Sequence, residues 1–284
     1  MEKRNVISFL NVAARYDGGP EIISDVSFNI SSHSFYFLTG ASGAGKTTLL
    51  RLIYQLHNPS RGQIKLFGSL TAGRTRDEIA KTRQKMSIVF QEYSLISHLS
   101  VFDNIALPLR VRGRPEPHIQ KLVMRALKWI RLDDYADTMP LNLSGGQQQR
   151  VAVARAVITQ PEILIADEPT GNLDDESARA IMNLFIQMNR NFGTTVIMAT
   201  HSQTMLDEYK FPVINVAAKR VAFSGVRSEE LEVRNEIAPV EKSSTEIKEK
   251  EEPTPHSSLL TSHSTNYFAE LARQFTEIAE GKKE

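Results

Sequence analysis

Eight residues constrain this chain more than any others: Gly40-Ala41-Ser42-Gly43-Ala44-Gly45-Lys46-Thr47 fit the pattern G-x-x-x-x-G-K-[ST]. They follow residues 35–39, an apolar and aromatic run that predicts a buried strand, and they open into residues 48–53, which predict a helix. Strand, glycine loop and helix in that order gather backbone N–H groups and a helix N-terminus around one point, which suits phosphate oxygens. Lys46 is placed to reach terminal phosphates, and Thr47 to ligate Mg²⁺. The implied ligand is a nucleoside triphosphate. A glycine-rich turn without a ligand is the plainer alternative, and the flanking elements argue against it.

In open parallel α/β sheets, ligands bind beyond the carboxyl ends of the strands. Three more apolar runs, at residues 86–90, 163–166 and 194–200, read as strands, and each is followed by a polar group: Gln91, then Asp167 with Glu168, then His201. One such residue alone is usually a satisfied loop residue; four strand ends delivering polar groups predict a convergent site. Successive strand residues face opposite ways, so Asp167 and Glu168 cannot serve one ligand atom unless the chain turns. Two roles are therefore expected. Asp167 is the acidic partner of Mg²⁺, and Glu168 accepts a proton from an attacking water or orients it.

A second anion-binding candidate is Leu143-Ser144-Gly145-Gly146-Gln147, which opens a helix over residues 148–157 that Pro161 closes. Ser144 is a natural N-cap, and the two glycines allow another surface to approach closely. A bare Ser-Gly-Gly favours a merely well-capped helix. The five-residue run, standing 23 residues before an Asp-Glu strand end, is more specific.

With those motifs in place, residues 5–225 resemble the ATP-binding-cassette ATPases. The matches, in the family's order, are the loop at 40–47, Gln91, residues 143–147, Asp167 with Glu168, the turn Gly171-Asn172-Leu173-Asp174, and His201. The resemblance implies an α/β fold of the P-loop NTPase type, with a mixed-sheet core, an antiparallel β subdomain and an inserted α-helical subdomain. It implies Tyr16 stacked on adenine, Thr48 beside the phosphates, Gln91 near both nucleotide and metal, and His201 on the γ-phosphate. It also implies that two cassettes dimerise head to tail, with Ser144, Gly145, Gly146 and Gln147 of one closing on the nucleotide held by the other. Lys46, Glu168 and His201 are the catalytic set so implied, with ATP and Mg²⁺ bound.

Narrower runs, Val101-Phe102-Asp103-Asn104-Ile105-Ala106-Leu107-Pro108-Leu109 among them, are similar to cassettes that serve bacterial cell division. That similarity implies a peripheral location on the cytoplasmic face of the inner membrane and an FtsX-like integral membrane partner. The Asp-Glu-Pro-Thr-Gly-Asn-Leu-Asp run is shared with lipoprotein-releasing and macrolide-exporting cassettes, so those engines are the alternative, together with a non-catalytic ATP-dependent scaffold. Ser202 stands where the family usually has Asp, and the sequence beyond Gly225 exceeds the usual length of the cell-division group.

Composition bounds the rest. At 284 residues with 41% hydrophobic content, the chain can bury a large core. It has no cysteine, so thiolate metal sites and disulfides are excluded. No apolar run approaches 18 residues, and the charged start lacks a signal-peptide core, so a soluble chain is expected. Net charge is +1, divided between a mildly basic body and residues 226–284, where 8 Lys and Arg face 13 Asp and Glu. Without a basic-aromatic platform, nucleic acid is not an expected partner.

The organisation read from sequence is an ATPase domain over 1–227, with a helical insertion at about 92–150. A polar, disordered linker follows at 228–263, then an amphipathic helix at 264–284 with Phe268, Leu271, Phe275 and Ile278 on one face. Residues Leu122, Val123, Ala126, Leu127 and Ile130 of the insertion recur at helical spacing and read as core. Tyr93, Leu95, Ile96 and Leu99 border Gln91, where the family resemblance places a short helix of the membrane partner.

Overall fold

The structure is a computed structural model that describes residues 4–224; the expectations for 228–263 and 264–284 lie outside the described residues. The strands are β1 (Asn5–Ala14), β2 (Ile23–Ser31), β3 (Phe35–Thr39), β4 (Arg61–Leu66), β5 (Ser69–Leu70), β6 (Met86–Val89), β7 (Ile163–Asp167), β8 (Thr195–Ala199), β9 (Val213–Ala217) and β10 (Arg220–Ser224). The α-helices are α1 (Lys46–Ile53), α2 (Arg76–Arg83), α3 (Val101–Val111), α4 (Glu116–Trp129), α5 (Gly145–Val157), α6 (Asp175–Phe192) and α7 (Gln203–Tyr209).

Two sheets form. One is antiparallel, in the order β2-β1-β4-β5; the other has six strands in the order β10-β9-β3-β8-β7-β6 and is mixed, with only β10 antiparallel to its neighbour. The reason lies in the side chains. Strands β3, β7 and β8 are buried along almost their whole length, as strands covered on both faces must be, so they read as continuous apolar runs. β9 and β10 alternate instead, as expected of a hairpin at a sheet edge. The sequence places the ends slightly differently: β6 stops at Val89, leaving Phe90 outside with 38% of its surface exposed, and β8 loses Thr194 and Thr200.

Between β6 and α5 the chain is helical. Leu122, Val123, Ala126 and Leu127 form the buried stripe of α4, with Ile130 buried just beyond it. Burying a branched aliphatic side chain contributes about 1.5–3 kcal/mol, so this stripe holds the segment firmly. Among the described residues, no helix is long and apolar enough to cross a membrane.

Candidate active site

The strands β3, β8, β7 and β6 are consecutive neighbours and parallel, so their carboxyl ends share one edge. At about 4.8 Å per strand, that edge spans about 14 Å. Along it stand, in order, the glycine loop, His201, Asp167 with Glu168, and Gln91. The topology therefore brings together four positions that the sequence scatters over more than 150 residues.

The glycine loop is built by close approach. Gly40 has φ 148°, and a Cβ there would sit 2.4 Å from the Val216 carbonyl oxygen. Gly45, at φ 109°, is the N-cap of α1 and packs where a Cβ would meet Ile22 and Ile23. No side chain caps α1, so its first-turn N–H groups point out of the helix toward the loop. Ala41, Ser42 and Gly43 are exposed, and the Ala44 N–H closes the loop onto the Ala41 carbonyl at 3.1 Å. The Lys46 ammonium donates to the carbonyls of Gly40 at 2.9 Å and Ala41 at 3.3 Å, which lays a cation across the loop.

The acidic strand end meets this loop. Thr47 Oγ1 donates to Asp167 Oδ2 at 3.4 Å. Burial pushes the Asp167 carboxyl above its ordinary range, the negative charge of Glu168 adds to that, and Thr47, Lys46 and Arg51 oppose it. β7 ends at Asp167 and Glu168 takes φ 49°, so the chain turns between the two carboxylates. That turn lets consecutive residues serve one site. The Glu168 N–H donates to the Ala199 carbonyl at 3.0 Å, locking the turn to β8, and Glu168 Oε2 lies 3.0 Å from His201 Nδ1. The glutamate side chain is mostly buried and the histidine mostly exposed. Ser202, at the position where Asp is usual, caps α7 by accepting from the Met205 N–H.

Gln91 is exposed just beyond β6. Ser144 caps α5 in a reciprocal box: its Oγ accepts from the Gln147 N–H at 3.3 Å, and Gln147 Oε1 accepts from the Ser144 N–H at 2.9 Å. Gly145 and Gly146 are close-packed, because a Cβ at 145 would lie 2.9 Å from the Tyr93 hydroxyl and one at 146 would lie 2.8 Å from Ser177 Oγ. Among the described residues, no hydrogen bond joins 144–147 to 40–47.

Tyr16 lies between β1 and β2. Its hydroxyl approaches Thr48 Oγ1 at 3.5 Å, and its ring rests 4.4 Å from the His57 ring. His57 is a residue that sequence reasoning missed; it follows α1 with no local pattern to mark it. Arg155 is another, a lone cation in the apolar run of α5, and that isolation was a readable signal.

A glycine loop opening a helix on one edge of a parallel sheet, with lysine across the loop and acidic residues on the next strand but one, defines a P-loop nucleoside triphosphatase. The ABC transporter family profile matches residues 23–171, and the chain belongs to the ABC transporter ATPase family. It is similar to the cell division ATP-binding protein FtsE of Escherichia coli, 39% identical over 212 residues that cover 75% of this chain and 95% of that protein. FtsE of Bacillus subtilis is 37% identical, with coverage of 74% and 92%. The methionine import ATP-binding protein MetN of Ralstonia nicotianae is 36% identical over 73% of this chain, but the match spans 60% of that protein.

Among solved structures, a dimeric ATP-binding cassette in a post-hydrolysis state, bound to ADP and Pi, superposes with TM-score 0.71 at 33% identity over 78% of this chain and 99% of that one. The cbiO1 cassette of Clostridium perfringens, part of the ABC transporter complex cbiONQ, gives TM-score 0.72 at 29% identity, covering 82% and 91%. The chain is thus an ATP-binding, ATP-hydrolysing subunit of a transporter-like complex.

Proposed function

We propose that this chain is the ATPase of an FtsE–FtsX-like complex. It couples ATP binding and hydrolysis to the regulation of cell-wall hydrolysis during division, from the cytoplasmic face of the inner membrane. Hydrolysis rests on one observation above all: Lys46, Thr47, Asp167, Glu168 and His201 converge on a single sheet edge, with Thr47 3.4 Å from Asp167 and Glu168 3.0 Å from His201. The division assignment draws its support from coverage, since the match spans 95% of E. coli FtsE but 60% of MetN.

The chemistry follows from the geometry. On nucleotide entry the Lys46 ammonium exchanges the Gly40 and Ala41 carbonyls for phosphate oxygens, and the first-turn amides of α1 receive the rest of the charge. The base rests against Tyr16. Glu168 takes a proton from water as the water oxygen attacks the γ-phosphorus and the bond to the β–γ bridging oxygen breaks, leaving ADP and phosphate. His201 holds the Glu168 carboxylate from one side and faces the γ-phosphate from the other.

Mg²⁺ fits these residues. Among the described residues there is no group of three or more His, Cys, Asp or Glu that could hold a metal ion alone. Thr47 and Asp167 offer two oxygens, and Mg²⁺ characteristically takes one or two protein oxygens plus substrate phosphates. Thr47, Asp167 and Gln91 are the residues assigned to it. When bound it neutralises charge on the β- and γ-phosphate oxygens.

The residues at 144–147 complete a site across a homodimer. The Ser144 oxygen accepts its capping bond, which leaves its proton to donate, and Gln147 keeps its amide N–H₂. Both donors suit the γ-phosphate held by a second copy. The ATPase domain is assigned to 1–227. The MetN and cbiO1 similarities favour a second reading, the same engine in a transport complex.

Steady-state ATPase assays of wild type and Glu168→Gln, with and without an FtsX-like partner, test the engine. A glutamine variant that binds ATP, dimerises and hydrolyses about 10²–10⁴-fold more slowly is expected. Unimpaired turnover would overturn the base assignment. Co-purification with mass spectrometry tests the partner, and recovery of an importer's membrane subunit in place of an FtsX-like protein would favour the transport reading.

A further inference from the structure

The loop from Gln91 to α3 is fastened at two points. Asn104, fully buried on α3, accepts from the Ile96 N–H at 2.8 Å and donates to the carbonyls of Ile96, Leu99 and Ser100, each at 3.0 Å. That fixes residues 96–100 to their own helix. Nearer Gln91, Tyr93 and Ser94 take φ 51° and 48°, two consecutive left-handed residues, neither of them glycine.

Their carbonyls point to one guanidinium: Arg155 Nη2 donates to Tyr93 at 3.0 Å and Nη1 to Ser94 at 2.8 Å. The planar fork suits two consecutive carbonyls held this way. Among the described residues, no carboxylate pairs with Arg155, and burial lowers its affinity for its proton. A half-buried cation bonded only to backbone carbonyls is there for that backbone.

Arg155 belongs to α5, the helix that Ser144 caps. Tyr93 touches that helix a second time, because its hydroxyl lies against Gly145. One tyrosine and one arginine thus tie the Gln91 loop to both ends of α5, about 15 Å apart at 1.5 Å per residue. Elsewhere the arginine–carbonyl pattern joins fixed elements, as where Arg150 donates to Ile130. Here it holds a backbone conformation that ordinary residues leave readily.

We propose that Arg155, in the last turn of α5, is a positioning residue that fastens the Gln91 loop to the helix whose first turn carries residues 144–147, so that loop and helix move as one body when nucleotide loads. The proposal rests on the assignment of Gln91 to the nucleotide side of the site. Through this link, a chain that has loaded ATP presents its Ser144 end in the position its second copy needs.

The test uses the full chain with Arg155→Lys, Arg155→Met and Gln91→Ala, each alone and combined with Glu168→Gln. Three quantities are read: affinity of the monomer for a fluorescent ATP analogue, KM and kcat for ATP, and the protein concentration at half-dimerisation with ATP and Mg²⁺ by light scattering.

Arg155→Met should keep analogue affinity within about twofold, because the arginine touches no phosphate-loop residue, while kcat falls and the half-dimerisation concentration rises by at least about tenfold. Arg155→Lys, whose single ammonium lacks the planar fork, should fall between. If the methionine variant does not fold, the lysine variant is scored alone by the same criteria. Wild-type kcat and dimerisation in the lysine variant, or analogue affinity lost in proportion to kcat, would overturn the link. Gln91→Ala separates the two ideas: an unimpaired Gln91 variant removes the assignment of Gln91, whereas an impaired one beside normal Arg155 variants removes the link alone.

Discussion

Two helices of this protein begin with the same device, and that supplies an internal control for the role of Ser144. Ser144 caps α5 and Thr75 caps α2, each in a reciprocal box, with hydroxyl to N–H distances of 3.3 Å in both. The return bonds to the cap N–H are 2.9 and 2.8 Å. Losing either cap to alanine removes about 1 kcal/mol of stability, or about 2–4 °C in Tm for a body of this size.

If capping were the whole duty of Ser144, the two alanine variants would match in Tm and in ATPase activity. If its proton also meets a γ-phosphate on a second copy, Ser144→Ala loses a further ~1.5–3 kcal/mol, the worth of a hydrogen bond to a charged group. At about 1.4 kcal/mol per tenfold that is about 10- to 160-fold in turnover. The assay pairs differential scanning calorimetry with steady-state ATPase rates at saturating MgATP, over a range of protein concentration. Thr75→Ala should turn over normally and melt a few degrees early; Ser144→Ala should melt alike and turn over poorly; Ser144→Thr should keep both properties. ATPase rates of the two alanine variants within threefold of each other at every protein concentration would refute the reasoning.

Three further outcomes are expected. Lys46→Ala should weaken ATP binding by about 10- to 160-fold, since a charge-assisted phosphate contact contributes about 1.5–3 kcal/mol, and a near-normal Kd by calorimetry would count against the phosphate loop. Asp167→Asn should raise the Tm of the nucleotide-free protein at neutral pH while abolishing Mg²⁺-dependent turnover. The sign follows from the raised folded value: the stability attached to a protonated Asp167 is complete below the ordinary 3.8 and is lost as pH rises through the folded value, so replacing the carboxyl removes that loss. An unchanged pH profile of Tm in Asp167→Asn would contradict it. Deleting residues 228–284 should leave basal ATPase activity within about twofold, because every group on the catalytic edge comes from residues 40–201; a deletion that fails to fold would move the domain boundary.

The strand ends of the core sheet were legible because continuous apolar runs such as Ile163-Leu164-Ile165-Ala166 announce a strand buried on both faces, and the first polar residue after each marks its end. The glycine loop was legible for a related reason: its conformation is dictated locally, by φ values that only glycine adopts readily. What could not be read is what depends on distant partners. The turn at Glu168 is held by the Ala199 carbonyl, more than 30 residues away, and no local residue type signals a left-handed glutamate. The seating of Gly146 against Ser177 and the contact of His57 with Tyr16 are likewise products of packing. Arg155 was visible as an oddity in α5, but its partners are carbonyls, which every residue possesses and no sequence distinguishes.

The position of β3 has a consequence for how this protein is made. The strand that launches the phosphate loop is flanked by β8, where Phe35 pairs with Val196, and by β9, where Phe37 pairs with Val213. The nearer in sequence, β8, leaves the ribosome about 160 residues after β3 does, and β9 about 175 residues after. At 5–20 residues per second, that is roughly 8–30 s during which the loop's strand has no native edge to pair with. The antiparallel sheet closes much sooner, since β1, β2 and β4 all lie within the first 66 residues. A nascent chain should therefore acquire its β1–β2–β4 ladder early and its affinity for ATP only near the end of synthesis, with an aromatic, unpaired β3 exposed in the interval. Such a strand is the segment a chaperone would be expected to shield.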